Sequence, residues 1–148
     1  IPGKLGCYLR SGFYRFVMTS CAPNVLIGFA TLFSQQDTEI DEGVYIGPQC
    51  NIGKCAIGKN TLLGSGVHIM SGKGQHNFSD PEKPIKDQGG VFTKVIIGEN
   101  CWLGNGALIM ANVGKGSVVA AGSVVVDDVP EGVIVGGNPA KVLKKVSV

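Results

Sequence analysis

The chain has 148 residues, of which 13 are basic and 11 acidic, and a net charge of +2 is too small to indicate a nucleic-acid partner. Hydrophobic residues make up 44% and charged residues 16%, which excludes a disordered chain, and no apolar run approaches the length of a membrane span. The length predicts one domain, and 23 glycines among many Val and Ile residues favour short strands joined by tight turns.

Residues 1–22 are predicted to form an amphipathic segment. In a helix, one face would carry Leu5, Leu9, Phe13, Phe16 and Val17. We interpret this face as the contact by which a short helix caps the open end of the following domain, with Arg10 and Arg15 away from it. Two alternatives are contact with a membrane surface, because basic and aromatic residues are mixed, and an irregular segment. Because the sequence starts at Ile1 and not at Met, we expect a fragment or a processed form.

A repeat of about six residues runs from Val25 to Val125. Each unit is a triplet whose first residue is small and whose third is almost always Ile, Leu or Val. The triplets are residues 25–27, 31–33, 38–40, 44–46, 50–52, 55–57, 61–63, 67–69, 95–97, 101–103, 107–109, 117–119 and 123–125. Side chains alternate across a strand, so the first and third residues fill one narrow interior. Three such sides would close a triangular coil of about 18 residues, which can bury its inner face only by stacking on its neighbours.

This pattern resembles the hexapeptide-repeat family, whose fold is the left-handed parallel β-helix. The resemblance implies an all-β fold: one left-handed parallel β-helix over residues 23–148, with a protruding loop at 71–94 and a short helix before it. The handedness comes from the resemblance, since right-handed crossovers are the usual expectation. The repeat is irregular at Gly53-Lys54, where one residue is missing, and between Ala107 and Ser117, where the step is ten residues. We interpret both irregularities as tightened corners.

The position of a residue in its triplet predicts which way it points. Cys50, Cys55 and Cys101 are inward, so we expect them to be buried and reduced. The five cysteines form no CxxC pair, which argues against a disulfide framework or a zinc site and favours a cytoplasmic protein.

The middle residues of the triplets point outward, and several of them are apolar. These are Tyr45, Leu62, Trp102, Leu108, Val118 and Val124. Exposed apolar patches mark interfaces or ligand grooves. The resemblance implies that the interface joins a homotrimer with active sites between subunits.

The loop at residues 71–94 carries His76, one of two histidines. Imidazole titrates near neutral pH, so His76 could act as a general base. Its ring could be oriented by a backbone carbonyl or by one of three carboxylates, those of Asp80, Glu82 and Asp87. The stretch 76–81, His-Asn-Phe-Ser-Asp-Pro, is similar to the active-site loop of hexapeptide-repeat O-acetyltransferases, which implies that His76 is the catalytic base. The other histidine, His68, points outward. It either lines the acceptor pocket or is simply exposed on one face of the domain.

The resemblance also assigns acetyl-CoA to the C-terminal third of the chain. Residues 98–104 look like the coil beside the thioester, 120–125 like the coil along the pantetheine arm, and 136–141 with Lys144 like the segment near the adenosine phosphates. The implied acetyl-CoA-binding residues are Trp102, Gly104, Asn105, Ala121, Gly122, Lys141 and Lys144. Trp102 could instead pack between subunits, and the lysines could be a solubilising tail. Asp127 departs from the family, which often has a basic residue there.

Together these features imply an O-acetyltransferase that moves an acetyl group from acetyl-CoA to a hydroxyl of a sugar or surface-polysaccharide precursor. Transfer would be direct, in a ternary complex. The alternatives are an N-acetyltransferase of a nucleotide-sugar amine and a non-catalytic trimeric binding or structural protein. A metal enzyme of the carbonic anhydrase kind needs three histidine ligands and the chain has two, so we expect no metal.

Overall fold

The computed structural model of the protein describes residues 1–147, which form one α-helix, α1 (Gly3–Val17), and sixteen short strands. The strands are β1 (Ser20–Cys21), β2 (Leu26–Ile27), β3 (Leu32–Phe33), β4 (Glu39–Ile40), β5 (Tyr45–Ile46), β6 (Asn51–Ile52), β7 (Cys55–Ile57), β8 (Leu62–Leu63), β9 (His68–Ile69), β10 (Val95–Ile97), β11 (Trp102–Leu103), β12 (Leu108–Ile109), β13 (Val118–Val119), β14 (Val124–Val125), β15 (Val133–Gly137) and β16 (Ala140–Lys145). A 3-10 turn, Ile85–Asp87, lies in the protruding loop. In residues 1–147 no helix has both the length and the apolar character needed to cross a membrane.

The strands form three sheets that are the three sides of a continuous coil. Sheet A has the order β1-β4-β7-β10, sheet B the order β2-β5-β8-β11-β13-β15-β16, and sheet C the order β3-β6-β9-β12-β14. The chain visits A, B and C in turn, and every pairing is parallel except that of β15 with β16. Equivalent residues of successive coils therefore stack, as Tyr45, Leu62 and Trp102 do on sheet B. The predicted parallel β-helix is confirmed.

Both irregularities of the repeat are tightened corners, as expected. In the ten-residue step, Val113 alone continues sheet A, bridging Ile97 on one side and Val129 on the other, and it is buried. At Gly53-Lys54 the Ser71 hydroxyl accepts a hydrogen bond from the backbone N–H of Lys54 at 2.9 Å. The core is unbroken at both places.

The interior is a single column of inward side chains. The third residues of the triplets form most of it, and Cys50, Cys55 and Cys101 are buried within it as predicted. Inward hydroxyls are satisfied by carbonyls of the neighbouring coil, as where Thr61 donates to Gly98 at 2.8 Å and Ser117 to Pro130 at 2.6 Å. A polar group buried without such a partner would cost free energy. These hydrogen bonds therefore allow Thr and Ser to occupy the small inward positions of the repeat.

Helix α1 does cap the open end, but with the face opposite to the one expected. Arg10 donates from Nε to the Ile27 carbonyl at 2.9 Å, Ser11 donates to the Val25 carbonyl at 2.7 Å, and Tyr14 packs on Phe33. The side chains of the expected face point to solvent, with exposed fractions of 65% for Leu5, 54% for Leu9, 61% for Phe13, 89% for Phe16 and 36% for Val17.

The hydrogen-bond direction of the coils explains this reversal. On sheet B each coil donates its N–H groups to the carbonyls of the next coil, as Leu26 does to Val44. The first coil therefore has carbonyls with no preceding coil to satisfy them. Buried backbone acceptors require donors, and the polar face of α1 supplies them.

Candidate active site

The loop at residues 71–94, which we call the arm, leaves the coil at the corner between sheets C and A. Strand β9 ends at Ile69 and β10 begins at Val95. Sheet C continues directly from β9 to β12, and sheet A from β7 to β10. The arm is therefore an excursion that leaves the stacking of the coils intact.

The two legs of the arm are held together by backbone hydrogen bonds. Thr93 donates to the carbonyl of Ser71 at 2.9 Å, and Asn77 donates to that of Gly89 at 2.8 Å. At the tip, the Gln88 side chain accepts from the N–H of Asp80 at 3.0 Å and donates to the carbonyls of Asp80 and Lys83, each at 2.8 Å. Gln88 thus closes the tip without help from a regular strand. Its role was missed from sequence, because the motif shows a glutamine but not the backbone groups it meets.

His76 lies on the outgoing leg and is exposed. Among residues 1–147 its ring has no hydrogen-bond partner, so none of the three carboxylates considered from sequence orients it. Asp80 instead accepts from the N–H of Glu82 at 3.0 Å and lies 3.9 Å from Lys83. The ring is presented outward and is left available for a group outside this chain.

Gly90 lies directly behind His76 on the returning leg. A Cβ atom at Gly90 would be 2.0 Å from the backbone carbonyl oxygen of Gln75 and 2.8 Å from the backbone nitrogen of His76. Both distances are far below van der Waals contact, so only glycine permits the two legs to approach here. This residue was also missed from sequence, where it is one of many glycines.

Ion pairs fix the feet of the arm to the coil. Lys94 pairs with Asp37 and, at 3.1 Å, with Glu39, while Lys54 pairs with Asp37 at 3.3 Å. The hydrogen bond from Lys94 holds the pKa of Asp37 below its usual value and raises the pKa of Lys94. These residues lie at or beside the point where the returning leg re-enters the coil.

The other foot of the arm contacts Asp127, where the family resemblance led us to expect a basic residue. Lys73, on the outgoing leg, pairs with Asp127 at 3.3 Å. The acidic residue that departs from the family pattern is therefore a contact for the arm.

A groove of about 370 Å³ lies on sheet C beside the outgoing leg. Its lining includes His68, Asn51, Leu108, Ser71 and Gln75. His68 points outward as predicted and shares this groove with residues at the base of the arm. Whether His68 contacts an acceptor stays a prediction.

The residues expected to bind acetyl-CoA lie together on sheet B and its corner with sheet C. Trp102 is 55% exposed and stacks in register with Val118, Ile134 and finally Lys144 on β16. Lys141 lies on the same terminal strand, opposite Gly136.

At the corner itself, Asn105, Ala121 and Gly122 are exposed. The side-chain oxygen of Asn105, Oδ1, accepts a hydrogen bond from the Ser65 N–H at 3.1 Å, which leaves the side-chain NH₂ of Asn105 as a donor. Gly104 is buried, and a Cβ there would lie 2.5 Å from the Ala121 nitrogen. Gly104 therefore permits the coils to stack closely beneath the exposed corner residues.

The structure does not bring His76 and these residues together within one chain. The arm leaves from the corner between sheets C and A, whereas Asn105 and Ala121 lie at the corner between sheets B and C. Sheet C separates the two corners.

The buried thiols cannot supply a nucleophile. Burial raises the pKa of Cys55 to about 12 and also raises the pKa of Cys50 and Cys101. A thiol is reactive as its thiolate, which these surroundings disfavour. Burial therefore favours the neutral, unreactive form of these three thiols.

Comparison with known proteins gives relatives of two acceptor types. The chain is 31% identical to the galactoside O-acetyltransferase of Lactococcus lactis subsp. lactis (strain IL1403) over 142 residues, which cover 78% of the chain and 67% of that relative. It is 57% identical to the 2,3,4,5-tetrahydropyridine-2,6-dicarboxylate N-acetyltransferase of Clostridium perfringens (strain SM101 / Type A) over 56 residues, 36% of the chain and 24% of that relative. A solved galactoside acetyltransferase in complex with coenzyme A matches with a TM-score of 0.72 at 20% identity, covering 97% of this chain and 82% of that one.

The structural match confirms the expected left-handed parallel β-helix. No protein-family model matches the chain. The chain spans 24% of the length of the Clostridium perfringens relative and 28% and 62% of the lengths of two further relatives, a putative acetyltransferase of Saccharomyces cerevisiae (strain ATCC 204508 / S288c) and a putative lipopolysaccharide biosynthesis O-acetyl transferase of Escherichia coli (strain K12). It therefore corresponds to part of each of these proteins.

Proposed function

Because the chain belongs to the hexapeptide-repeat acyltransferase family, we propose that it transfers an acetyl group from acetyl-CoA to a hydroxyl of a sugar or surface-polysaccharide precursor. The observation that carries the proposal is the ordered arm, which holds an exposed His76 at a fixed corner of a rigid coil. The cofactor would bind along the sheet B row, by which we mean the in-register residues Trp102, Val118, Ile134 and Lys144.

The proposed reaction is a direct transfer. Neutral His76 removes the hydroxyl proton as the oxygen attacks the thioester carbonyl, a backbone N–H beyond the arm stabilises the oxyanion, and coenzyme A leaves as the thiol after taking up the proton. Lys141 and Lys144 would meet the phosphates of the cofactor, while the NH₂ of Asn105 and the backbone at Ala121 and Gly122 would meet its amides.

We propose that the site forms between copies of the chain in a homotrimer. His76 of one copy would meet the sheet B row of its neighbour, because the two lie at different corners of a single chain. Exposed apolar side chains at both places favour this contact: Tyr45 and Leu62 on sheet B, and Phe78 and Val91 on the arm. Trp102 would lie at the boundary between the interface and the thioester.

The groove that contains His68 is our candidate for the acceptor pocket. Its mixture of amide, hydroxyl and imidazole groups suits a sugar, whose hydroxyls need several hydrogen-bond partners. An amine acceptor is the second candidate, favoured by the N-acetyltransferase relative, and a non-catalytic trimer is the third. The unpaired, buried cysteines support placing the reaction in the cytoplasm.

An acceptor screen with acetyl-CoA tests the proposal, with free thiol release as the measurement. We expect release that depends on a saccharide carrying a free hydroxyl, and calorimetry should detect binding of coenzyme A. Turnover only with amino sugars would select the N-acetyltransferase, and the absence of both cofactor binding and turnover in the trimer would favour the structural protein.

A further inference from the structure

Helix α1 exposes a continuous apolar face. The five side chains that form it, with their exposed fractions, are Leu5 65%, Tyr8 71%, Leu9 54%, Phe13 61% and Phe16 89%. At 3.6 residues per turn they occupy a sector of about 140°. The opposite side is already committed to the first coil through Arg10 and Ser11, so the apolar face cannot turn inward. An exposed apolar patch of this kind marks an interaction surface.

The charge around this face has one sign. Lys4 and Arg15 lie on one border of the apolar sector, and α1 contains no acidic residue. The first acidic residue of the chain is Asp37, so residues 1–36 carry three basic residues and no acidic one. The remaining 112 residues carry ten basic and eleven acidic residues and are nearly neutral. Four carboxylates follow in the second coil, and those of Asp37, Glu39 and Glu42 are paired with lysines of the coil, so they do not neutralise Lys4 and Arg15.

We propose that α1 docks on an anionic lipid surface. Its apolar face would enter the boundary between headgroups and acyl chains, and Lys4 and Arg15 would meet the lipid phosphates. Fifteen helical residues extend about 22 Å, which is less than the roughly 30 Å of a hydrocarbon core, so the helix lies in the plane of the surface and does not cross it.

A second copy of the chain fits the face less well than lipid does. Two copies meeting through α1 would bring Lys4 and Arg15 toward their own counterparts, and the helix offers no carboxylate to offset them. Arg10 is held on the other side by the carbonyls of Ile27 and Ile1, so it is not part of the docking surface. An anionic surface complements both the apolar sector and its basic border.

Co-flotation of the full chain with large unilamellar vesicles tests this docking. We expect binding to vesicles of equal phosphatidylglycerol and phosphatidylcholine, little binding to phosphatidylcholine alone, and weaker binding at high salt. Phe16→Asp should lower the partition coefficient by about tenfold or more, because Phe16 is the most exposed side chain of the face. Arg15→Gln should lower it by about fivefold.

Two matched variants at the other end of the coil serve as controls. Val142→Asp changes a side chain on β16 that is 54% exposed, and it should leave binding unchanged. Lys141→Gln combined with Lys144→Gln removes basic charge from the same strand and should also have little effect. Circular dichroism should show that Phe16→Asp keeps its helix, since the Phe16 side chain is almost fully exposed.

Two results would overturn the proposal. The first is no co-flotation of the unchanged chain with the anionic vesicles. If Phe16→Asp then also has a lower sedimentation mass than the unchanged chain in the absence of lipid, the face is an interface between copies. The second is binding that survives Phe16→Asp and is lost in the Lys141 and Lys144 double variant.

Discussion

The coil and the arm are stabilised by different kinds of contact. The coil has a column of buried Ile, Leu and Val side chains and backbone hydrogen bonds that run from one coil to the next. The arm buries little: Phe78, Ile85 and Val91 are exposed, and its shape depends on hydrogen bonds from Gln88 and on ion pairs at its feet. Substitutions in the coil should therefore change mainly the stability, and substitutions in the arm mainly the catalytic activity.

The largest effect on stability is expected in the coil. Leu103 is fully buried on β11, and Leu103→Ala should lower the free energy of unfolding by about 3 kcal/mol by leaving a cavity between coils. The matched control is Leu32→Ala on β3, whose side chain is 62% exposed and should cost about 0.5 kcal/mol or less. Chemical denaturation measures both, and equal losses would mean that the column of inward residues is not the source of stability.

His76→Ala should separate chemistry from stability. General base catalysis is worth about 10² to 10⁴-fold, so we expect kcat to fall by at least about 10²-fold. The melting temperature should stay unchanged, because the ring is exposed and has no partner among residues 1–147. Lys86→Ala, an exposed change in the same arm, is the control and should retain activity. Near wild-type turnover by His76→Ala would remove this residue from the mechanism.

Gly90→Ala tests whether the arm positions His76. Its Cβ would collide with the Gln75 carbonyl and displace the backbone of the histidine, so kcat should fall by roughly tenfold to a hundredfold while the KM for acetyl-CoA changes little. The control is Gly74→Ala on the opposite leg, where the nearest atom to the new Cβ is 3.7 Å away. If both variants lose activity equally, the loss reflects glycine flexibility and not the close approach.

Acidification should weaken the foot of the arm by a smaller amount. Asp37 has a pKa below its unfolded value, mainly because Lys94 donates a hydrogen bond to it, so its stabilising contribution is complete above about pH 4 and is lost as the pH falls further. Lys94 has a raised pKa, so its contribution is complete below about pH 10. Stability measured from pH 2 to 6 should fall less steeply in Asp37→Asn than in the unchanged chain. Identical curves would show that this ion pair does not support the arm.

For residues within the repeat, the direction of the side chain could be predicted from the sequence, because the period of six determines which side chains point inward. Cys55 and Cys101 were identified as buried, and Tyr45 and Trp102 as outward, from triplet position alone. The family resemblance supplied the handedness, which periodicity does not contain. The division into residues 1–22 and 23–148, and the roles of the site residues, stay predictions.

The arm and the helix were less predictable, since their contacts depend on backbone groups that no side-chain pattern reports. The apolar face of α1 was expected to pack on the coil, yet unsatisfied carbonyls at Val25 and Ile27 required the polar face. In the arm, Gln88 and Gly90 act on the backbone of residues distant in sequence. The His76 ring has no hydrogen-bond partner among residues 1–147, although three carboxylates lie near it in sequence.

The hydrogen-bond direction of the coils has a consequence for assembly. One end of sheet B would present carbonyls and the other N–H groups, and α1 and β16 cover these two ends. A chain without both coverings would have complementary ends, and its copies could add to one another in a straight line without closure. On sheet B, the two terminal elements therefore block the end-to-end addition of copies that would otherwise continue the repeat as a fibre.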